Sequence, residues 1–415
     1  MSTIGLGDLA NETLETIFQY IPAEDVCTNI RNTSRKLRNL SYSPGFWHKY
    51  LKFEFQYSPI QRRTLDADPM TRALAIEREK NRWMNNNGLT KYKFGVKNIG
   101  TIDALRLHKT KSGQRLAVTG SRDRKVVLWD IKKVAEREDQ EEWCIDSGEV
   151  QGGWVYGLEV SDDDKTVYSC GFDYCLRQHE LTESGLRETA SMNYGQILFR
   201  TVLDNNLLYI STLKQGVHMV DPRVGLSPVR TCKDKIGSLI LSIMAHDPLR
   251  NDLFVAHGQG KSTPIAQIDK REFRVLTTFR LREGEACSSL DVNQDHLLIS
   301  LKNGDVSYFN PKTIKTDFTW KVENSYEVIN NITTRCSNGV VFYSTAYELS
   351  AYMPGRKPQL YAKIPCKDMI INTEYLDGDL VAITGDGKVQ FWPKEFANST
   401  ENQRALRSIK VEDHV

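Results

Sequence analysis

The 415-residue chain is short of several things, and each shortage excludes a class of function. No apolar run approaches the ~18 residues that a membrane helix needs. No basic segment followed by an apolar one opens the chain, so the N-terminus does not read as a signal peptide. Charge of either sign is not in excess: 55 lysines and arginines face 53 acids, a net of +2. That balance removes the global electrostatic reason to expect nucleic acid or an anionic membrane. Eight cysteines are scattered with no C-x-x-C pair, Cys170 and Cys175 being nearest. Scattered thiols without a secretory signal read as reduced core residues, and the expected compartment is the cytoplasm or nucleus.

Catalytic signatures are missing too. There is no G-x-S-x-G and no H-E-x-x-H. None of the eight histidines pairs with a cysteine at zinc spacing, so neither metal nor cofactor is expected. "GQGKST", from Gly258 to Thr263, lacks the spacing of a phosphate loop and suits a hairpin turn better. Nothing nominates an activated cysteine for a thioester-forming ligase. These readings point to a non-catalytic protein that works by binding.

Three zones are present. Residues 5 to about 55 have helical periodicity. In "LANETLETIFQYIPAED", Leu14, Ile17, Phe18 and Ile21 sit three and four apart, which puts them on one face of a helix. Pro22 ends that run. Asp25 suits the N-cap of a second helix from Val26 to about Arg31. Leu37, Leu40, Phe46, Trp47, Tyr50 and Leu51 form a third apolar set, split into two short helices at Ser43-Pro44-Gly45. About 45 residues make a marginal core, and a partner would complete it. Next comes a connector with one helix predicted over 69–84: Asp68 caps it, Pro69 takes the first helical position, and Asn85-Asn86-Asn87-Gly88 stops it. Met70, Leu74 and Trp83 are its expected docking residues.

From about residue 91 the chain repeats. "RLAVTGSRDRKVVLWDI" places two β-branched runs around a polar turn, a hairpin signal. Comparable turns fall near Asp123, Asp173, Gln215, Gln259, Asn303, Ala346 and Asp386, at intervals of 50, 42, 44, 44, 43 and 40 residues. That period is the length of a four-stranded propeller blade, and seven turns predict seven blades. The last repeat has three clear strands, so "KYKFGVKNI", Lys91 to Ile99, is expected to supply its fourth and close the ring.

"GSRDRKVVLWD" resembles a WD40 repeat through Gly120, Ser121, Asp123, Trp129 and Asp130; the last repeat keeps Gly385, Asp386 and Trp392. The N-terminal zone resembles an F-box. Its signature reads Leu9-Ala10-Asn11-Glu12, with alanine where the family has proline, and Asp25-Val26, Arg35, Leu37 and Trp47 follow the pattern. The resemblance implies a mainly β chain: an F-box domain over 5–52, a helical linker over 53–90, a seven-bladed WD40-type β-propeller over 91–396 and a polar tail over 397–415. It further implies a substrate receptor of a Skp1–cullin–F-box ubiquitin ligase, acting by proximity. Skp1 would be met by Leu9, Leu14, Ile17, Phe18, Ile21, Val26 and Trp47. A non-degradative interaction scaffold is the alternative.

Substrate residues are expected on a rim of the propeller, where loops vary while strands hold shape. Residues before the turn aspartates (Arg122, Phe172) and those opening inner strands (Trp154, Tyr156, Phe199) are candidates, since aromatics and arginines are common binding anchors. Arg122, Arg124 and Arg200 are the arginines available to a phosphate reader.

Overall fold

The computed structural model describes residues 6–54, 68–84, 92–94, 100–131, 144–147, 151–182, 185–233, 236, 240–247, 250–257, 263–282, 285–293, 296–322, 333–336, 340–353 and 358–393. Their strands form seven four-stranded sheets, the blades of a β-propeller. Blades 1 to 6 are consecutive meanders over 102–147, 155–193, 198–232, 240–280, 287–321 and 333–365. Blade 7 takes three strands from 370–392, and its fourth is Tyr92–Phe94, antiparallel to Val389–Trp392 with Tyr92 opposite Phe391. The expected ring closure is therefore present, and the edge of the last blade is covered.

The hairpin turns sit where the period puts them. Arg124, Tyr174, Gly216, Gly304 and Gly387 each have φ between 69° and 87° at the turns after Asp123, Asp173, Gln215, Asn303 and Asp386. The turn expected near Gln259 lies outside the described residues, as do the connector's stop at 85–88 and the polar tail.

Where sheets pack face to face, both faces of a middle strand are buried, which is why these strands are apolar without alternation. Val126–Asp130 is buried at every position. One cluster joins Leu105, Trp129 and Ile131 of blade 1 to Val381, Ile383 and Phe391 of blade 7. Others join blades 1 and 2, 2 and 3, 3 and 4, and 4 and 5. At roughly 1.5–3 kcal/mol per buried large apolar side chain, these clusters are the main source of stability. Tryptophan indoles need a partner when buried. Trp129 Nε1 donates to Thr119 Oγ1 at 2.9 Å. In blade 2, His179 occupies the register of Trp129 and lies 2.8 Å from Ser169 Oγ. The repeat has changed its residue and kept its cross-strand hydrogen bond.

The chain divides into two compact units. One contains Met1–Leu89 with Cys336–Phe342 and Ser350–Lys363. Its helices are α1 (Asn11–Phe18), α2 (Ala23–Thr28), α3 (Arg35–Ser41), α4 (Pro44–Glu54) and α5 (Pro69–Met84). Ser34 caps α3 by accepting from the Leu37 N–H at 3.2 Å, and Asp68 caps α5 through the Thr71 N–H at 3.3 Å. α5 has the predicted bounds. α2 does not: it starts at Ala23, so Pro22 takes the N-cap and Asp25 lies inside the first turn, where its charge favours the helix N-terminus.

The core of this unit is aromatic. Phe18, Phe46, Trp47 and Tyr50 pack with ring centroids 4.8–6.3 Å apart. Trp47 Nε1 donates to the Ser41 carbonyl at 2.7 Å. α5 buries Ala73, Ile76 and Trp83. Trp83 meets Phe342 edge-on at 4.9 Å, whereas Met70 and Leu74 are only half-buried.

Candidate functional site

Two surfaces hold the candidate residues, one in each unit. From blade 7 through blade 1 to blade 5, the first strands of consecutive blades pack against one another. Blades 1, 2, 3, 5 and 7 share a device there. A β-bulge near the start of the first strand falls at Asp103, Tyr156, Phe199, Ser288 and Ile371. A bulge adds one residue and re-aims its side chain. The neighbouring turn is tied on by one backbone bond: Phe172 N–H to the Trp154 carbonyl at 2.9 Å, Arg122 N–H to Thr101 at 2.9 Å, Leu213 N–H to Ile197 at 3.1 Å.

These constraints bring all five rim candidates together. Phe172 lies 5.2 Å from Trp154 and 5.0 Å from Tyr156, ring centre to ring centre. Phe199 stands edge-on to Tyr156 and Phe172, 6.3 Å from each. The Arg122 guanidinium sits 5.0 Å from the centre of the Trp154 ring, a cation–π arrangement. Trp154 is 40% exposed and the other three aromatics are half-buried. Sequence reasoning missed Asp103, whose carboxylate accepts from Arg122 Nε at 2.8 Å and Nη2 at 3.1 Å. Burial, with the Asp103 charge adding to it and Arg122 opposing, pushes the Tyr156 phenol up, so it stays a neutral hydrogen-bonding group. The bulges carried no sequence signal; the turn count did.

Farther along the same strands, Arg106 of blade 1 bridges Glu159 of blade 2 at 3.0 Å and Glu374 of blade 7 at 3.2 Å. Glu374 also accepts from the Leu107 N–H. Burial raises the Glu159 carboxyl; Arg106 pulls it down, Glu374 pushes it up, and it settles at about 7. The folded state then holds a proton that the unfolded chain has already released, so stability falls as pH rises from about 4.5 to about 7 and levels off above. Glu159→Gln should flatten that slope. Melting curves should show the wild type losing on the order of 5–10 °C more than the variant across the window. Parallel curves would assign the proton elsewhere.

In the helical unit the adaptor candidates separate into two groups. Leu14, Phe18, Val26 and Trp47 are fully buried in the unit's own core. Leu9, Ile17 and Ile21 are half-buried, with Tyr20 beside them 73% exposed. The four buried residues shape the unit, and the surface available to a partner is Leu9, Ile17, Tyr20 and Ile21. Periodicity alone shows that a face is apolar; it does not show which part of the face neighbouring helices already cover. Ala10 precedes α1 with φ −63°, the value a proline would impose. The alanine therefore holds the backbone angle that a proline would fix, without a proline's rigidity.

Among the described residues no group of histidine, cysteine or carboxylate side chains could hold a metal, and no helix is long and apolar enough to cross a membrane. No family profile matches the chain. Curated proteins do. The F-box/WD repeat-containing protein mec-15 of Caenorhabditis elegans is 22% identical over 324 residues, 76% of this chain and 77% of that one. F-box/WD repeat-containing protein 9 of Homo sapiens is 23% identical over 70% of this chain, and its Bos taurus counterpart over 69%. The chain spans 61% and 60% of those two mammalian proteins. Among solved structures, the β-propeller domain of Cps50 (Swd1) from Myceliophteria thermophila aligns with a TM-score of 0.57 at 13% identity, over 72% of this chain and 99% of that domain. That likeness shows the fold alone. With helices followed by a seven-bladed propeller, the chain is similar over most of its length to F-box/WD repeat-containing proteins.

Proposed function

We propose that this chain is the substrate-recognition subunit of a Skp1–cullin–F-box ubiquitin ligase. In this reading 5–52 is the F-box domain, 53–90 a helical linker, 91–396 the propeller and 397–415 a polar tail. The chain itself is non-catalytic and works in the cytoplasm or nucleus. Skp1 docks on Leu9, Ile17, Tyr20 and Ile21, over a face that Leu14, Phe18, Val26 and Trp47 hold in shape from beneath. The propeller holds a protein substrate at Arg122, Trp154, Tyr156, Phe172 and Phe199. Substrate lysines then meet charged conjugating enzyme at a raised effective concentration.

One observation supports this reading best. A small helical unit leaves an apolar strip half-covered, and the same chain gathers an aromatic cluster on a propeller rim. The test is co-purification of the full chain with Skp1, wild type beside Ile17→Asp. Ile17 is half-buried, so the charge falls on the strip while the aromatic core beneath keeps its contacts. The expected result is a stoichiometric complex with wild type and none with the variant, which still folds by circular dichroism. Equal recovery of Skp1 with both would remove the strip from the interface. Leu14→Asp is a poorer probe, because Leu14 is fully buried and a charge there unfolds the unit.

A further inference from the structure

The geometry of the rim narrows the kind of segment it can hold. The four rings touch one another at centroid separations of 5.0–6.3 Å, so they enclose no gap for a cation or a flat heterocycle. They form an apolar ledge instead, with Trp154 as its most exposed member. The arginine on the ledge is already compensated. Arg122 gives two hydrogen bonds to Asp103, whose side chain is only 7% exposed. A phosphate would compete with a buried carboxylate for the same two nitrogens and would bring a second negative group against it.

The acidic side chains bordering the ledge are already engaged: Asp103 by Arg122, and Asp173 by Arg177 at 2.5 Å and the Gly152 N–H at 3.0 Å. Arg124 and Lys125 follow Arg122 in its turn, and the Gln151 N–H donates to the Arg124 carbonyl at 2.8 Å, which ties that turn to the segment leading into Trp154. Lys214 follows Leu213, whose backbone bond to Ile197 ties that turn to the segment leading into Phe199. Arg124, Lys125 and Lys214 have no carboxylate partner among the described residues. Asp123, within the same turn, is occupied locally by the Ser121 hydroxyl and the Lys125 N–H.

We propose that the ledge binds an unphosphorylated acidic protein segment. One aromatic or large aliphatic side chain lies against Trp154 and Phe172, and flanking aspartates or glutamates face Arg124, Lys125 and Lys214. This rests on the propeller half of the reading above and holds whether or not the helical unit docks Skp1.

The test uses the full chain and synthetic peptides of about 12 residues with Phe, Leu or Ser at the centre. Each centre is set in flanks of glutamate, serine, lysine or phosphoserine, and binding is read by fluorescence anisotropy. Phe and Leu centres in glutamate flanks should bind about tenfold tighter than Ser centres or lysine flanks. That binding should weaken about tenfold in Trp154→Ala, a substitution at a half-exposed ring that leaves the melting temperature near wild type, and it should weaken with added salt. No binding by any peptide, indifference to the flanks, or binding that requires phosphoserine would overturn the proposal. Skp1 capture without peptide binding would count against this inference alone. Peptide binding without Skp1 capture would count against the ligase assignment alone.

Discussion

Asp204→Ala is expected to lower the melting temperature by on the order of 10 °C, among the largest effects of any single substitution in the propeller. The Lys270 amine is 1% exposed and lies 2.7 Å from Asp204, which also meets His246 at 3.2 Å. Burial alone would raise the Asp204 carboxyl, but its hydrogen bonds from His246 and Lys270 hold it well below the ordinary range. Removing the carboxylate takes from a buried ammonium its 2.7 Å carboxylate contact, at a cost of about 3–5 kcal/mol. A domain of this size loses about 2–4 °C per kcal/mol. The linkage has a definite sign. A depressed carboxyl stabilises the fold at pH above its unfolded value, near 4, and that stability is lost as pH falls through the acid range. The control is Asp204→Ala with Lys270→Met. Removing both charges should restore most of the loss, because a well-packed apolar pair costs little where an unpaired charge costs much. Differential scanning calorimetry on the three proteins decides it. A double variant as unstable as the single one would mean that the cluster's packing, not its charge, holds blades 3 and 4 together.

Gly171→Ala is expected to damage fold and rim at once. A β-carbon at Gly171 would lie 1.9 Å from the Trp154 carbonyl oxygen, and backbone cannot move aside as a side chain can. That oxygen accepts the Phe172 N–H, the bond that sets Phe172 against Trp154. The added methyl must push the turn away from the first strand of blade 2. Overpacking of this kind costs about 1–3 kcal/mol, occasionally more, and here it falls on the contact that builds the ledge. Denaturant unfolding should show the lower stability. Rim-peptide binding should be lost even at temperatures where the variant remains folded. A variant with wild-type stability and wild-type peptide affinity would show that blade 2 tolerates a wider spacing there.

Much of this architecture was legible in the residues, for physical reasons. Hairpin turns need special backbone angles, so Asp, Asn and Gly mark them; counting turns predicted the blades even where the repeat motif had decayed. The closing strand followed from a last repeat one strand short. The 69–84 helix followed from a cap and a proline in their proper order. What was not legible depends on tertiary context. Asp25 looked like a cap, but Pro22 was already placed to start the helix. His179 does not resemble Trp129 in sequence, yet it fills the same register and makes the equivalent bond. Asp103 and Arg122 are 19 residues apart, and only the bulge and the tied turn bring them together. Leu14 and Ile17 lie on one apolar face; folding buries the first and leaves the second half-open.

In the proposed function the helical unit and the rim serve one purpose, the delivery of a captured protein to ubiquitin transfer. The measurement that tests it most directly is ubiquitin transfer in a reconstituted Skp1–cullin ligase containing this full chain. The substrate is a lysine-bearing model protein fused to the tightest rim-binding peptide. Polyubiquitinated product is expected with the wild-type chain, and loss of that product with either Ile17→Asp or Trp154→Ala. Intact binding of both Skp1 and substrate without any transfer would contradict it, and would identify the chain as a scaffold that holds its partners without marking them.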